Sequence, residues 1–283
     1  MKFFSFLKAI TLALVYFISF PLLLFLPKHT AYVFVLTTGR SGSGTLSNIF
    51  KNSPQVNSFH EPYPILNNNF SLNERLQKSW IFFQYMFIKF PKILWTRLNG
   101  KTIYLETNHL FLKSFCYLAL KTFKSRIKII HLVRPAHSVA KSMYDIGKIP
   151  GDSFGNRWYL DPYDKSNYIN FENIFQQIND QEAKKYKDLY KCIWYWFETE
   201  ERIKLFKNKY QGDVLMLKTN QLNDINLLVN NINSVFNLNV TVEVENKKID
   251  KNLKKDEKSN NIDIEVVIHK KELFLSAYNH VYK

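Results

Sequence analysis

The ten residues Thr37-Thr38-Gly39-Arg40-Ser41-Gly42-Ser43-Gly44-Thr45-Leu46 have the composition of a phosphate cradle. Glycines at 39, 42 and 44 let the backbone curl until successive N–H groups point at one anion. An apolar, β-branched run, Tyr32-Val33-Phe34-Val35-Leu36, comes before, and a segment with helical character, Leu46 to Lys51, comes after. The order is strand, glycine-rich turn, helix, and the helix adds the positive end of its dipole. Gly39 and Gly44 have the G-x-x-x-x-G spacing of a nucleotide-triphosphatase loop, but Thr45 stands where that loop carries lysine. The Lys-[Ser/Thr] pair that reaches the outer phosphates and magnesium is therefore missing. The cation of this loop is Arg40. Such a loop points to a nucleotide and away from magnesium-dependent phosphoryl transfer.

A second strand-like run, Lys128-Ile129-Ile130-His131-Leu132-Val133, ends in Arg134-Pro135, and Pro135 falls where a helix can begin. Ser138 and Ser142 are four residues apart and share a helical face, with Ser142 two turns along from Arg134. A guanidinium and a hydroxyl so placed can hold a second phosphate, the fork by charge-assisted hydrogen bonds.

Taken together, the two segments resemble the sulfotransferases that use 3′-phosphoadenosine 5′-phosphosulfate. In that family a loop of the form [Lys/Arg]-Ser-Gly-[Ser/Thr] holds the 5′-phosphosulfate, and Arg40-Ser41-Gly42-Ser43 matches it. A later strand of the family ends in Arg and is followed eight residues on by Ser, the pair that clamps the 3′-phosphate; Arg134 and Ser142 have that spacing. The resemblance extends through the Trp194 to Leu205 segment and the run Val214 to Lys218, so it spans roughly Tyr32 to Asn239. It implies a P-loop-like α/β fold with Arg40, Ser41, Gly42, Ser43, Gly44, Thr45, Arg134 and Ser142 as the cofactor-binding set, and it implies no metal. An arginine in the loop matches the membrane-bound and bacterial carbohydrate-type branches. The chain departs from the cytosolic, phenol-type branch at Thr45, where those members carry an aromatic, and lacks their late Gly-Lys-Gly segment. The implied activity is transfer of a sulfuryl group to a hydroxyl of a carbohydrate or similar acceptor, leaving 3′-phosphoadenosine 5′-phosphate. The alternative class is a P-loop protein without sulfuryl chemistry, either a degenerate nucleotide kinase or a membrane-tethered nucleotide-binding module.

Sulfuryl transfer needs a base, because the acceptor hydroxyl loses its proton as it attacks sulfur. Ser58-Phe59-His60-Glu61-Pro62-Tyr63 follows the first helix at the point where a second strand emerges, and the carbohydrate-type enzymes place a catalytic Glu about there. Glu61 is the expected base. His60 is the neighbour best able to replace it, with an ordinary pKa near 6.5. Tyr104-Leu105-Glu106-Thr107-Asn108-His109 is a third candidate region, in which Glu106 or His109 would hold the acceptor or take its proton, the alternative being a hydrogen-bonded strand end.

The elements that must position these residues are legible in the rest of the chain. With 283 residues, 46% of them hydrophobic, one α/β domain over residues 28–283 can bury a large core. Short apolar runs alternating with longer amphipathic stretches predict a parallel sheet with helices on both faces. Trp80 to Ile88 reads as a buried helix, with an aromatic platform for a sugar ring or lipid as the alternative; Lys184 to Lys207 reads as a long helix on the sheet, and Ile262 to Tyr282 as a closing helix. Part of the formal charge of +15 sits in a lysine-rich loop near residues 246–261, whose mixed signs read as solvated surface. No nucleic-acid reading motif accompanies the excess, so nucleic acid is not an expected partner. Cys116 and Cys192 are too few for a disulfide framework. Asn69-Phe70-Ser71 and Asn239-Val240-Thr241 are glycosylation-type triplets.

Residues 1–27 stand apart. Phe3 to Leu26 is apolar apart from Ser5, Lys8, Thr11 and Ser19, long enough to span a bilayer as a helix. Lys2 and Lys8 at its start predict a single-pass anchor with a cytoplasmic N-terminus; the alternative is a cytoplasmic protein associated with the membrane.

Overall fold

The computed structural model describes residues 11, 12, 14, 15, 21, 28–67, 74–153, 155–242 and 261–282. By its contacts the chain divides into two compact units. One takes the described residues of Met1–Leu36, Ser43–Leu132 and Gly212–Ile249; the other takes those of Thr37–Gly42, Val133–Gln211 and Asp250–Lys283.

The first unit is built on a five-stranded sheet of order β2-β3-β1-β4-β5, made of β1 (Ala31–Leu36), β2 (Val56–His60), β3 (Ile103–Thr107), β4 (Ile127–Val133) and β5 (Val214–Lys218). Strand β1 pairs in parallel with β3 and with β4, and β2 pairs in parallel with β3. Every residue of β1 is buried, as a central parallel strand covered on both faces must be. Alternate side chains go to opposite faces. Val33 and Val35 join Leu105, Ile130 and Leu132 in one core with Leu46 of the first helix, Phe50 just beyond it, and Leu228, Ile232 and Phe236 of the helix Ile225–Phe236. Tyr32 and Phe34 go the other way, into an aromatic layer. Phe34 stacks on Phe111 with ring centroids 4.4 Å apart, and Tyr32 on Phe123 at 3.8 Å.

Helices in chain order are α1 (Ser43–Ile49), α2 (Glu74–Gln84), α3 (Phe90–Trp95) and α4 (Cys116–Phe123) in this unit. A π-helical turn, Tyr85–Lys89, joins α2 to α3. The helix after the phosphate loop therefore opens at Ser43, three residues before the sequence suggested. Trp80 to Ile88 is not one uniformly buried helix, because Phe82 and Phe87 are exposed.

The second unit packs α5 (Ala136–Asp145), α6 (Phe171–Gln176), α7 (Lys187–Lys209) and, after α8 (Ile225–Phe236) of the first unit, α9 (Ile264–Tyr282). Met143, Trp194 and Phe274 belong to its core, where the Trp194 indole donates to the Ile169 carbonyl at 2.7 Å. Glu198 is fully buried on α7. Burial pushes its carboxyl up, and three donors compensate: the N–H groups of Tyr168 (3.2 Å) and Ile169 (2.8 Å) and Nε of Arg202 (2.6 Å).

Cys116 and Cys192 are both free and buried. The lysine-rich loop, apart from Asn261, and the Asn69-Phe70-Ser71 triplet lie outside the described residues, as does most of Phe3 to Leu26. Among the described residues no helix is long and apolar enough to cross a membrane.

Candidate functional site

The loop after β1 is held by its own hydroxyls. Thr38 Oγ1 and Ser41 Oγ lie 2.8 Å apart and share the Gly39 carbonyl as acceptor at 2.9 and 3.0 Å. Tyr195 of α7 adds a bond to the Thr38 carbonyl at 2.6 Å. Gly39, Arg40 and Gly42 all have left-handed backbone, with φ of 81°, 55° and 88°. Glycine takes that conformation readily, but for Arg40 it costs about 1–3 kcal/mol, a strain of the kind that gathers at ligand sites. Arg134 secures the strained residue by donating from Nη1 to the Arg40 carbonyl at 2.7 Å. The Arg134 carbonyl in turn accepts from the Trp196 indole at 2.9 Å.

The sequence assigned Arg40 to one phosphate and Arg134 with Ser142 to another. The structure joins all three: Arg40 Nε donates to Ser142 Oγ at 3.0 Å. Burial lowers the Arg134 pKa, and the positive charge of Arg40 lowers it further. Among the described residues no carboxylate lies within ion-pair distance of either guanidinium. Thr37 Oγ1, buried at the start of the loop, has no hydrogen-bond partner among the described residues. Two like charges and an unsatisfied hydroxyl form a site that an anion would relieve. Ser43, Gly44 and Thr45 open α1 in the first unit, Ser43 buried and the other two half-buried.

A second cluster lies at the carboxyl ends of β2 and β3. Glu61 follows β2 with a left-handed φ of 45°, and its N–H donates to the Thr107 carbonyl at 3.2 Å. His109 Nδ1 meets Glu61 Oε1 at 2.6 Å, with the two side chains 7% and 24% exposed, respectively. Burial opposes ionisation of Glu61, but its hydrogen bond to His109, with the charges of His109, His60 and Lys113, carries the carboxyl below its usual range. Glu61 Oε2 makes no hydrogen bond among the described residues, which leaves it as an acceptor for a proton. His60 has Nδ1 3.1 Å from the Thr107 carbonyl and 3.0 Å from its hydroxyl.

Glu106 is corrected by the structure. It is a candidate on sequence, yet it is fully buried and matched to Lys89, whose Nζ lies 2.7 Å from Oε1. Oε2 accepts from the Tyr104 hydroxyl at 2.7 Å, and Oε1 also accepts from Asn108 Nδ2 at 3.0 Å. Burial lowers the Lys89 pKa and the Glu106 charge opposes the shift. Glu106 is thus inaccessible to an acceptor and acts as an internal counter-ion.

Sequence reasoning placed Glu61 and His109 in separate candidate segments, and the structure brings them into contact. It missed Lys89, which ends a π-helical turn in an aromatic run, and it missed Tyr195 and Trp196 as props for the two arginines. The only signal available was Lys89 itself, a charge within an otherwise apolar stretch.

No family model matches the chain, and no curated protein matches it. Among solved structures it is similar to a sulfotransferase domain from the curacin biosynthetic pathway, at 12% identity over 75% of this chain and 76% of the other, with a TM-score of 0.46. It is also similar to a sulfotransferase from Alicyclobacillus acidocaldarius, at 10% identity over 89% of this chain and 95% of the other, with a TM-score of 0.44.

Two outcomes follow from the second cluster. The Glu61 pKa is depressed in the folded chain, so its contribution to stability is complete above its unfolded value, 4.5, and is lost as pH falls through the lower folded value. His109→Ala removes the main lowering interaction, and in an NMR titration the Glu61 carboxyl should then titrate at higher pH than in the unmodified chain. Lys89→Met strands the Glu106 charge and should cost about 3–5 kcal/mol in urea unfolding. Adding Glu106→Gln should recover part of that loss, since the amide oxygen still accepts from Tyr104.

Proposed function

We propose that this chain transfers a sulfuryl group from 3′-phosphoadenosine 5′-phosphosulfate to a hydroxyl of a carbohydrate or similar acceptor. The observation that carries the reading is the coupled pair Arg40 and Arg134, two guanidiniums with no carboxylate partner among the described residues, on the residues that match the family's two phosphate loops. A polyphosphorylated nucleotide supplies the missing negative charge without a metal ion. The site's chemistry fits that donor: the guanidinium forks of Arg40 and Arg134, the Ser142 hydroxyl and the orphaned Thr37 hydroxyl are all suited to phosphate or sulfate oxygens.

The bound nucleotide contributes an activated sulfuryl group. The acceptor oxygen forms the new S–O bond, the S–O bond to the nucleotide phosphate breaks, and its electron pair leaves on that phosphate. Arg40 and Arg134 stabilise the charge that grows there. The acceptor's proton passes to Glu61 Oε2. His109 holds Oε1 and fixes the rotamer, and the lowered carboxyl pKa keeps Glu61 ionised, hence able to accept, throughout the neutral range. The apolar N-terminal segment is read as an anchor that keeps this chemistry at a membrane.

Arg134→Ala should weaken 3′-phosphoadenosine 5′-phosphate in metal-free calorimetry by about 2–5 kcal/mol, roughly thirtyfold or more in Kd. Glu61→Gln should lower turnover by about 10²–10⁴-fold with nucleotide affinity almost unchanged. Tighter binding of ATP with magnesium than of the sulfuryl-donor product would overturn the assignment in favour of a kinase-like protein.

A further inference from the structure

Helix α5 opens on positive charge where a helix start ordinarily carries an acid or a capping oxygen. Pro135 at its N-cap makes no side-chain hydrogen bond, and the first turn holds no acidic residue. The Pro135 carbonyl accepts from the N–H groups of Ser138 at 3.0 Å and Val139 at 3.1 Å, which leaves those of Ala136 and His137 open among the described residues. Arg134 stands immediately before the helix, and His137 lies half-buried in its first turn. Lys271 brings a further cation from α9, which packs on α5. All of these residues belong to the second unit, with Arg40 and Thr37. Burial lowers the His137 pKa below its ordinary 6.5, and the charges of Lys271 and Arg134 lower it further. Among the described residues no carboxylate and no hydrogen bond acts on the ring. The acids of the packed helices are engaged elsewhere: Asp145 with Lys141 on α5, Asp188 with Lys191, Glu198 with Arg202 and Glu201 with Lys204 on α7, and Glu272 with Lys271 on α9. Glu200 of α7 and Glu265 of α9 add nothing at the ring.

We propose that His137 is a third ligand, beside Arg134 and Ser142, for one phosphate monoester of the nucleotide, and that it takes up a proton from solvent as the nucleotide binds. The identity of the nucleotide rests on the sulfuryl-transfer reading; the cluster of cations at the start of α5 is independent of it. An imidazole beside two permanent cations at a helix N-terminus stays neutral in the free chain. A phosphate dianion seated there reverses that balance, because it stabilises the imidazolium and accepts a charge-assisted hydrogen bond from it. The open N–H groups of the first turn point at the same anion. Coupling is reciprocal, so a nucleotide that favours the imidazolium binds more tightly where the imidazolium forms more easily. Between the lowered pKa of the free chain and the raised pKa of the complex, affinity therefore falls as pH rises. The spent nucleotide leaves more readily on the alkaline side of that window.

At about pH 7.5 a phosphate monoester, whose second pKa is about 6, is already dianionic, so proton uptake on binding reports on the protein. Calorimetric titration of the full chain with 3′-phosphoadenosine 5′-phosphate, in two buffers of different ionisation enthalpy, counts those protons. Uptake is expected in the unmodified chain and none in His137→Gln. One linked proton changes affinity by up to about tenfold per pH unit, so the unmodified chain should weaken by that factor across the window while His137→Gln stays level. His137→Arg, a permanent cation, should bind tightly at alkaline pH with no uptake. Binding without proton uptake, or uptake that survives in His137→Gln, would overturn the proposal and leave the sulfuryl-donor site standing. If the nucleotide does not bind at all, the sulfuryl-transfer reading falls, and the His137 ring C–H signal, titrated by NMR with and without inorganic pyrophosphate, decides the anion role. A titration moved to higher pH by pyrophosphate supports that role, and an unmoved one overturns it.

Discussion

A charge that cannot reach water must be matched where it lies, and the buried pair Lys89–Glu106 sets that condition for the first unit. Separated, either ion would be prohibitively costly in this interior; together they demand good geometry and further hydrogen bonds. Those bonds run to both sides of the Glu61–His109 contact. Lys89 Nζ also donates to the carbonyls of Pro62 at 3.3 Å and Pro64 at 3.2 Å, and Lys92 donates to the carbonyl of Tyr63 between them at 2.9 Å. The backbone immediately after Glu61 is therefore held by ammonium groups. On the other side Glu106 binds Asn108, whose Oδ1 accepts from the Leu110 N–H at 2.9 Å and shapes the turn that carries His109. The half-buried Glu61 carboxylate and the buried His109 imidazole stand on an ion pair that itself is almost wholly out of solvent.

The arginine loop follows the opposite logic. In the first unit the buried charges of Lys89 and Glu106 answer each other; around Arg40 and Arg134 the neighbours are a carbonyl, a hydroxyl and each other's positive charge. Keeping an arginine in left-handed backbone beside another arginine lowers stability. Such an arrangement persists where the surroundings determine it and a ligand repays it. Tyr195 and Trp196, adjacent on α7, hold the loop and Arg134 through backbone carbonyls, so the positioning does not use up the groups that would meet an anion.

Of this protein, the local patterns were legible in the sequence alone. The glycine-rich turn, Arg40, Arg134 and its Ser142, the apolar runs that become β1, β4 and β5 and the α/β class follow from spacing, residue type and alternation, which act over a few residues. Glu61 was legible as a carboxylate in one stretch and His109 as a histidine in another; they are 48 residues apart in the chain. Their meeting is decided by β2 pairing with β3 in parallel, with His60 opposite Thr107, a register no single segment encodes. The same holds for Glu106, which a polar strand end could not distinguish from a base until Lys89, arriving from a helix earlier in the chain, was seen to neutralise it. Hydrophobic period is a property of one segment, whereas the partner of a charge is a property of the packed whole. Sequence therefore determined which residue types the chain offers for chemistry, and the tertiary structure decided which of its charged groups are already matched and which are left open.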